Sequence, residues 1–269
     1  MTQSQPATTG RGALPIVIAI ATAGFRRGLR GRLGLVAVAS LVGIGGLGLV
    51  FHQFADRATL EYRLITETGL ALSAILVLGT SLLLACRGLG TDDDRHAVHA
   101  LLALPIPRPG IILGHLVGIW LTLAVYSLAL TLSLTAVLYL RFGFLRPALF
   151  LHMLTLFVEG CALATFATLI ALGGSTIVAF FGTIALAFVT HAEATVVHLV
   201  QRTAIPALDA VVATLYRLLP AFAALDVKAS TVREVPIPWS QLAWGLPSVL
   251  LWTIAVAFVA CLVFARREP

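Results

Sequence analysis

Three groups of residues in this chain carry side chains able to do chemistry. Asp92, Asp93 and Asp94 run into His96 and His99, one helical turn apart, a composition suited to a divalent cation. Two imidazoles without spaced third and fourth ligands do not complete such a site, and the same residues describe a solvated helix start, the assignment adopted here. His191 and His198 invite the same metal suggestion and share its weakness. Glu159 stands seven residues after His152 and four after Thr155, so the three share one helical face. A carboxylate in an apolar helix is costly unless paired, protonated or facing water. The face therefore reads either as a proton- or substrate-sensing stripe or, more plainly, as an interhelical hydrogen-bond cluster.

Two catalytic chemistries fail on residue type. A phosphate-binding loop needs Gly-x-x-x-x-Gly-Lys-Ser/Thr, and the only lysine, Lys228, is followed by Ala229. ATP, if used, must bind to another chain. Gly173-Gly174-Ser175 faintly suggests an intramembrane serine protease, but Ser175 lies in a turn and the last apolar segment holds no histidine to activate it. No catalytic residue and no metal site is assigned.

The elements that must position these groups follow from composition. The 269 residues are 59% hydrophobic and 11% charged, with mean hydropathy +1.00, where soluble domains carry about 25% charge. Six stretches reach the roughly 20 apolar residues that a helix needs to cross the hydrocarbon core. They lie at about 33–51, 64–86, 111–140, 148–172, 176–198 and 242–264. The expected fold is all-α: a single polytopic membrane domain over 1–269 with six transmembrane helices. The third stretch exceeds the bilayer and should tilt, kink or project. Cys86, Cys161 and Cys261 all fall inside these stretches and read as packing residues.

The connections differ. Residues 14–32, with Arg26, Arg27, Arg30 and Arg32, read as an interfacial helix on the cytoplasmic side. An even number of spans returns the C-terminus, with Arg266 and Arg267, to the same side, so both termini are expected in the cytoplasm and the protein in the cell inner membrane. Arg141 and Arg146 then fall in a short outer loop, against the positive-inside trend. Residues 203–222 suggest short outer helices, on the surface or dipping back into the membrane. Val235-Pro-Ile-Pro-Trp239 should be extended, with Trp239 and Trp244 in an interfacial belt. The net charge of +6 suits anionic membrane lipid and gives no reason to invoke nucleic acid.

The aspartates 92–94 favour the N-terminus of a short helix over 92–104. Val98, Leu101 and Leu102 supply its apolar face, Pro105, Pro107 and Pro109 stop it, and Arg108 begins the return to the membrane. Such a helix, joined to the second and third spans, can pass a push to both. Gly110, Gly114 and Gly118 repeat every fourth residue, a smooth face for close helix packing.

At these residues the chain resembles the permease subunits of ATP-binding-cassette type 2 transporters, in particular those grouped with multicopper-enzyme maturation and nitrous-oxide-reductase assembly. Asp92 resembles the family's acidic position, Leu101-Leu102-Ala103-Leu104-Pro105-Ile106-Pro107-Arg108 its Leu-Leu-x-x-Pro-x-x-Arg, and Gly114-His115 its Gly-Lys. Phe25-Arg26-Arg27, Glu67-Thr68-Gly69-Leu70 and Phe264-Ala265-Arg266-Arg267-Glu268 extend the similarity. Aspartate for the usual acidic residue, Ala97 for threonine and His115 for lysine are departures.

The resemblance implies a permease that forms a homodimer and pairs with two separate ATPase subunits, through the coupling residues Asp92, Asp93, Asp94, Val98, Leu101, Leu102 and Arg108. It implies that ATP and Mg sit on those partners, that this chain binds no cofactor, and that an outer-side accessory protein is a candidate partner. Two alternatives stand beside it: a proton-coupled secondary transporter using Glu159, and a nontransporting mechanical transmitter or scaffold.

Overall fold

The computed structural model describes residues 13–30, 58–90, 108–144, 146–203, 206–233 and 235–266, with isolated positions among 39–50. The first expected span, 33–51, and the coupling residues Asp92, Asp93, Asp94, Val98, Leu101 and Leu102 therefore lie outside the described residues. Among those described, every regular element is a helix: α1 (Ala13–Arg30), α2 (Ala58–Gly90), α3 (Arg108–Phe142), α4 (Pro147–Gly173), α5 (Thr176–His191), α6 (Glu193–Thr203), α7 (Pro206–Arg217), a 3-10 turn (Phe222–Leu225), α8 (Lys228–Arg233) and α9 (Trp239–Ala265).

Four of these are long and apolar enough to cross a membrane: Ala58–Cys86, Pro109–Phe142, Pro147–Gly173 and Trp239–Ala265. Two bent pairs raise the number to six if each is one span. The chain is a multi-pass membrane protein. The 34 apolar residues of α3 make about 50 Å of helix against about 30 Å of hydrocarbon, as the sequence anticipates. The expected fifth span is not continuous. Its helix stops at His191, and α6 leaves at 58°.

The long helices alternate in direction. One end of the bundle gathers the start of α3, the end of α4 and the end of α9 around Ile112, Leu116, Leu172, Ala260 and Phe264. The opposite end gathers the start of α2, the end of α3 and the start of α4 around Tyr62, Leu134, Leu138 and Met153. We call them the Gly174 end and the His191 end. Buried hydroxyls such as Thr122, Thr131, Thr165, Thr168 and Thr253 each donate to the carbonyl four residues back, at 2.7–2.8 Å. That bond spares these side chains the cost of an unpartnered hydroxyl in an apolar setting.

At the Gly174 end α1 lies along the first half of α3, in the same direction. A Cβ on Gly114 would stand 2.8 Å from Ile20 Cβ, and one on Gly118 would stand 3.0 Å from the Ala21 carbonyl oxygen. Only glycine allows this approach, because the obstacle at Gly118 is backbone. Gly110, also buried, opens the same helix. On α1 the other face is exposed and carries Ile18, Arg26 and Arg27.

Candidate functional site

A tight hairpin positions the site. Ser175 caps α5 by accepting from Val178 N at 3.3 Å, so α4 and α5 turn back on each other with only Gly174 and Ser175 between them. Ser175 is thus a helix cap. Glu159 lies fifteen residues before Gly174 and His191 seventeen after it. In an antiparallel hairpin, residues equally far from the turn meet. Glu159 Oε1 lies 3.6 Å from His191 Nε2.

The pair forms one wall of a cavity of about 310 Å³ between α2, α4 and α5. The lining is a stripe at helical spacing on each of two helices: Leu156, Glu159, Gly160 and Leu163 from α4, and Ile184, Ala187, Phe188 and His191 from α5. From α2 come Ala74, Ile75, Val77 and Leu78. Apart from the acid and the imidazole, every lining side chain is apolar or absent. Gly160 lets α4 approach α2 closely, since a Cβ there would stand 2.8 Å from Val77 Cγ1.

His191 is oriented by two further contacts. Its Nδ1 donates to the Ala187 carbonyl at 2.9 Å, because that oxygen can only accept. In the neutral ring Nε2 then carries a lone pair. Two acceptors therefore face each other, Nε2 and the Glu159 carboxylate, unless one proton is held between them. Phe222 lies against the imidazole, with ring centroids 6.4 Å apart.

Phe222 belongs to a segment that folds back over the His191 end. Phe222, Leu225 and Val227 are buried against Ala162, Leu163, Ala187, Leu242 and Val249. This segment thus packs into the bundle. Tyr216 of α7 adds a hydrogen bond to the Val189 carbonyl at 3.2 Å, and Thr231 of α8 one to the Ala148 carbonyl at 3.2 Å. Val235 to Pro238 carry no regular structure, and instead of a fully extended entry the chain turns at Pro238, where Trp239 N donates to the Ile237 carbonyl at 2.9 Å; Trp239 and Trp244 are exposed where α9 begins.

Of the expected polar face, the structure keeps His152, Thr155 and Glu159 together on α4 but gives them different partners. Thr155 donates to the His152 carbonyl at 2.8 Å and is spent within its own helix. His152 is 5% exposed, its Nδ1 meets no hydrogen-bond partner among the described residues, and it lies within electrostatic reach of Asp226 and Lys228. Asp226 also acts on Glu159. Lys228 is 3.8 Å from Glu67 of α2.

His191 is the residue that a metal-oriented search of the sequence underrates. The signal was present in its distance from the Gly174 turn. His198 is exposed on α6, apart from this group. Among the described residues no three His, Cys, Asp or Glu side chains come together as a metal site. Cys86, Cys161 and Cys261 are buried as free thiols.

Two arginines that strain the charge pattern are held in place at the same end. Arg141 donates to Glu61 Oε1 at 2.9 Å, and Arg146 stacks over the Tyr62 ring at 4.5 Å. Arg141 is offset by a carboxylate and Arg146 by an aromatic face.

The fold and site define a helical, multi-pass membrane protein with an ionisable pair on the wall of an apolar cavity. No family model matches this chain, and no curated protein matches it.

Proposed function

We propose that this chain is the membrane-spanning permease subunit of an ATP-binding-cassette transporter, driven by separate ATPase subunits that dock on the segment 92–104. One mechanical observation supports this. The stretch between α2 and α3 enters α3 where that helix is clamped on two sides, by α1 at Gly114 and Gly118 and by α9, whose Cys261 Sγ lies 3.8 Å from the Pro109 carbonyl. A push on 92–104 is therefore delivered into a packed joint rather than into a loose helix end, which is what coupling to an external motor needs. The resemblance to type 2 permeases and the lack of a phosphate-binding loop agree with it.

In this reading 33–51 and the α5–α6 pair complete six spans, the Gly174 end faces the cytoplasm with both termini, and the chain works as a homodimer in the inner membrane. Arg108 and Arg266 belong to that end, whereas the arginines of α1 flank Gly28, which lies against Thr122 midway along α3. Co-expression with an ATP-binding-cassette ATPase subunit from the same organism, sought first in an adjacent reading frame, should recover a complex. Reversing Asp92→Lys, Asp93→Lys and Asp94→Lys together should weaken that complex by roughly tenfold or more, or uncouple its hydrolysis. Transport by the purified chain alone, unchanged by the reversal, would refute the proposal.

A second reading, a proton-coupled transporter, is favoured by the Glu159–His191 pair on a cavity wall. It predicts transport driven by a proton gradient without nucleotide.

A further inference from the structure

We propose that the cavity between α2, α4 and α5 binds a membrane-dissolved amine: a primary or secondary ammonium held between Glu159 and His191, with an apolar body lying along Ile75, Leu78, Ile184 and Phe188. The proposal concerns the occupant of the cavity and stands whichever energy source drives the protein.

The sign of the ligand follows from the groups that face the site. Glu159 is the more enclosed partner, its side chain 15% exposed against 41% for His191. From the connection after the 3-10 turn, Asp226 adds a second negative charge in electrostatic reach. Lys228, the cation of that region, lies by Glu67 of α2. On α4 itself the other titratable groups are His152 and the Cys161 thiol. Between Pro109 and Leu140 of α3, and throughout α9, the sequence has no Asp, Glu, Lys or Arg. Among the described residues the group that can carry a positive charge against the carboxylate is therefore His191.

The ligand's hydrogen bonding follows from the ring. Nδ1 is committed to the Ala187 carbonyl, so the neutral imidazole and the carboxylate offer two acceptors 3.6 Å apart and no donor. An ammonium with at least two N–H groups supplies both donors and the missing charge. A small hydrated cation is unsuited to this place, because the rest of the lining offers no oxygen ligands. The ligand must bring its own apolar surface. Ile75 and Phe188 on the lining are 67% and 75% exposed, which gives the cavity a side facing the hydrocarbon.

Binding balances as an exchange. The pair begins as carboxylate and imidazolium, or as carboxylic acid and imidazole, with one proton in either form. The incoming R–NH3+ takes the proton's place, and one H+ leaves to water at the His191 end. No covalent bond other than N–H or O–H changes.

The test is calorimetric titration of the full chain in nanodiscs of zwitterionic lipid, with empty nanodiscs subtracted. The probes are dodecylamine, dodecyltrimethylammonium, dodecanol and dodecanoate. Dodecylamine should saturate, while dodecanol and dodecanoate should only partition. The quaternary probe, lacking N–H donors, should bind about tenfold more weakly. Affinity for dodecylamine should rise about tenfold per pH unit while the pair still holds its proton, because one proton is released per ligand. Glu159→Gln should abolish saturation, and so should Ile184→Trp, which fills the cavity and leaves the pair intact. Saturable binding that survives both substitutions, a preference for dodecanoate, or equal affinity for the amine and its quaternary form would overturn the proposal.

Discussion

The two ends of the bundle solve different problems with the same apolar helices. At the Gly174 end, α1, α3, α4 and α9 meet through small residues and aliphatic side chains, and a glycine–backbone contact sets the separation. At the His191 end ionisable side chains gather, and three carboxylates are each met by a partner from another element, Glu61 by Arg141, Glu67 by Lys228 and Glu159 by His191, while His152 is buried with its Nδ1 unmatched among the described residues. A re-entrant segment closes over them. The contrast separates a joint suited to transmitting force from a place suited to binding, with α4 belonging to both.

Substitutions at three positions would break or sharpen this contrast. The largest effect is expected at the cap. Phe222 is fully buried and covers His191, so Phe222→Ala should cost about 3–5 kcal/mol in the stability of the detergent-solubilised chain. If the segment is a true cap, limited proteolysis within 218–238 should accelerate while cleavage near α1 does not. Uniform acceleration would show that the ends are not independent.

The intermediate effect belongs to the Gly174 end. Gly118→Leu must push the Ala21 backbone away and should cost about 1–3 kcal/mol, read as a lowered unfolding midpoint. Dodecylamine binding should be unaffected if the two ends act separately, whereas lost binding would tie them together. Gly118→Ala should do the same to a smaller extent.

The smallest effect is at Arg141, whose side chain is 37% exposed. Arg141→Met should cost about 1 kcal/mol or less and should matter less at high salt. A larger, salt-independent loss would mean that the buried Glu61 carboxylate, 7% exposed, depends on Arg141.

Much of the architecture was legible in the chain because the cause is local. A run such as Leu242 to Phe264 must be helical in hydrocarbon, whatever surrounds it, since its backbone polar groups have no other partners. Gly114 and Gly118 announced a close contact by their spacing, and Pro236 and Pro238 announced that the entry to α9 is not helical. The break at Ala192 was not legible, because the apolar composition continues through Val196 and Val197 while the direction changes. The site was half visible: Glu159 stood out as a charge in a span, but Thr155, on the same face, turned out to satisfy its hydroxyl within the helix.

The sequence by itself determined that this is a multi-pass helical membrane protein and where its long helices run. Tertiary structure alone decided that α1 pairs with α3, that Phe222 seals the His191 end, and that Glu159 faces His191 across a cavity. Helix formation in an apolar medium depends on the composition of one segment. The meeting of two ionisable groups thirty-two residues apart depends on the tightness of the Gly174 turn and the rotation of both helices about their axes.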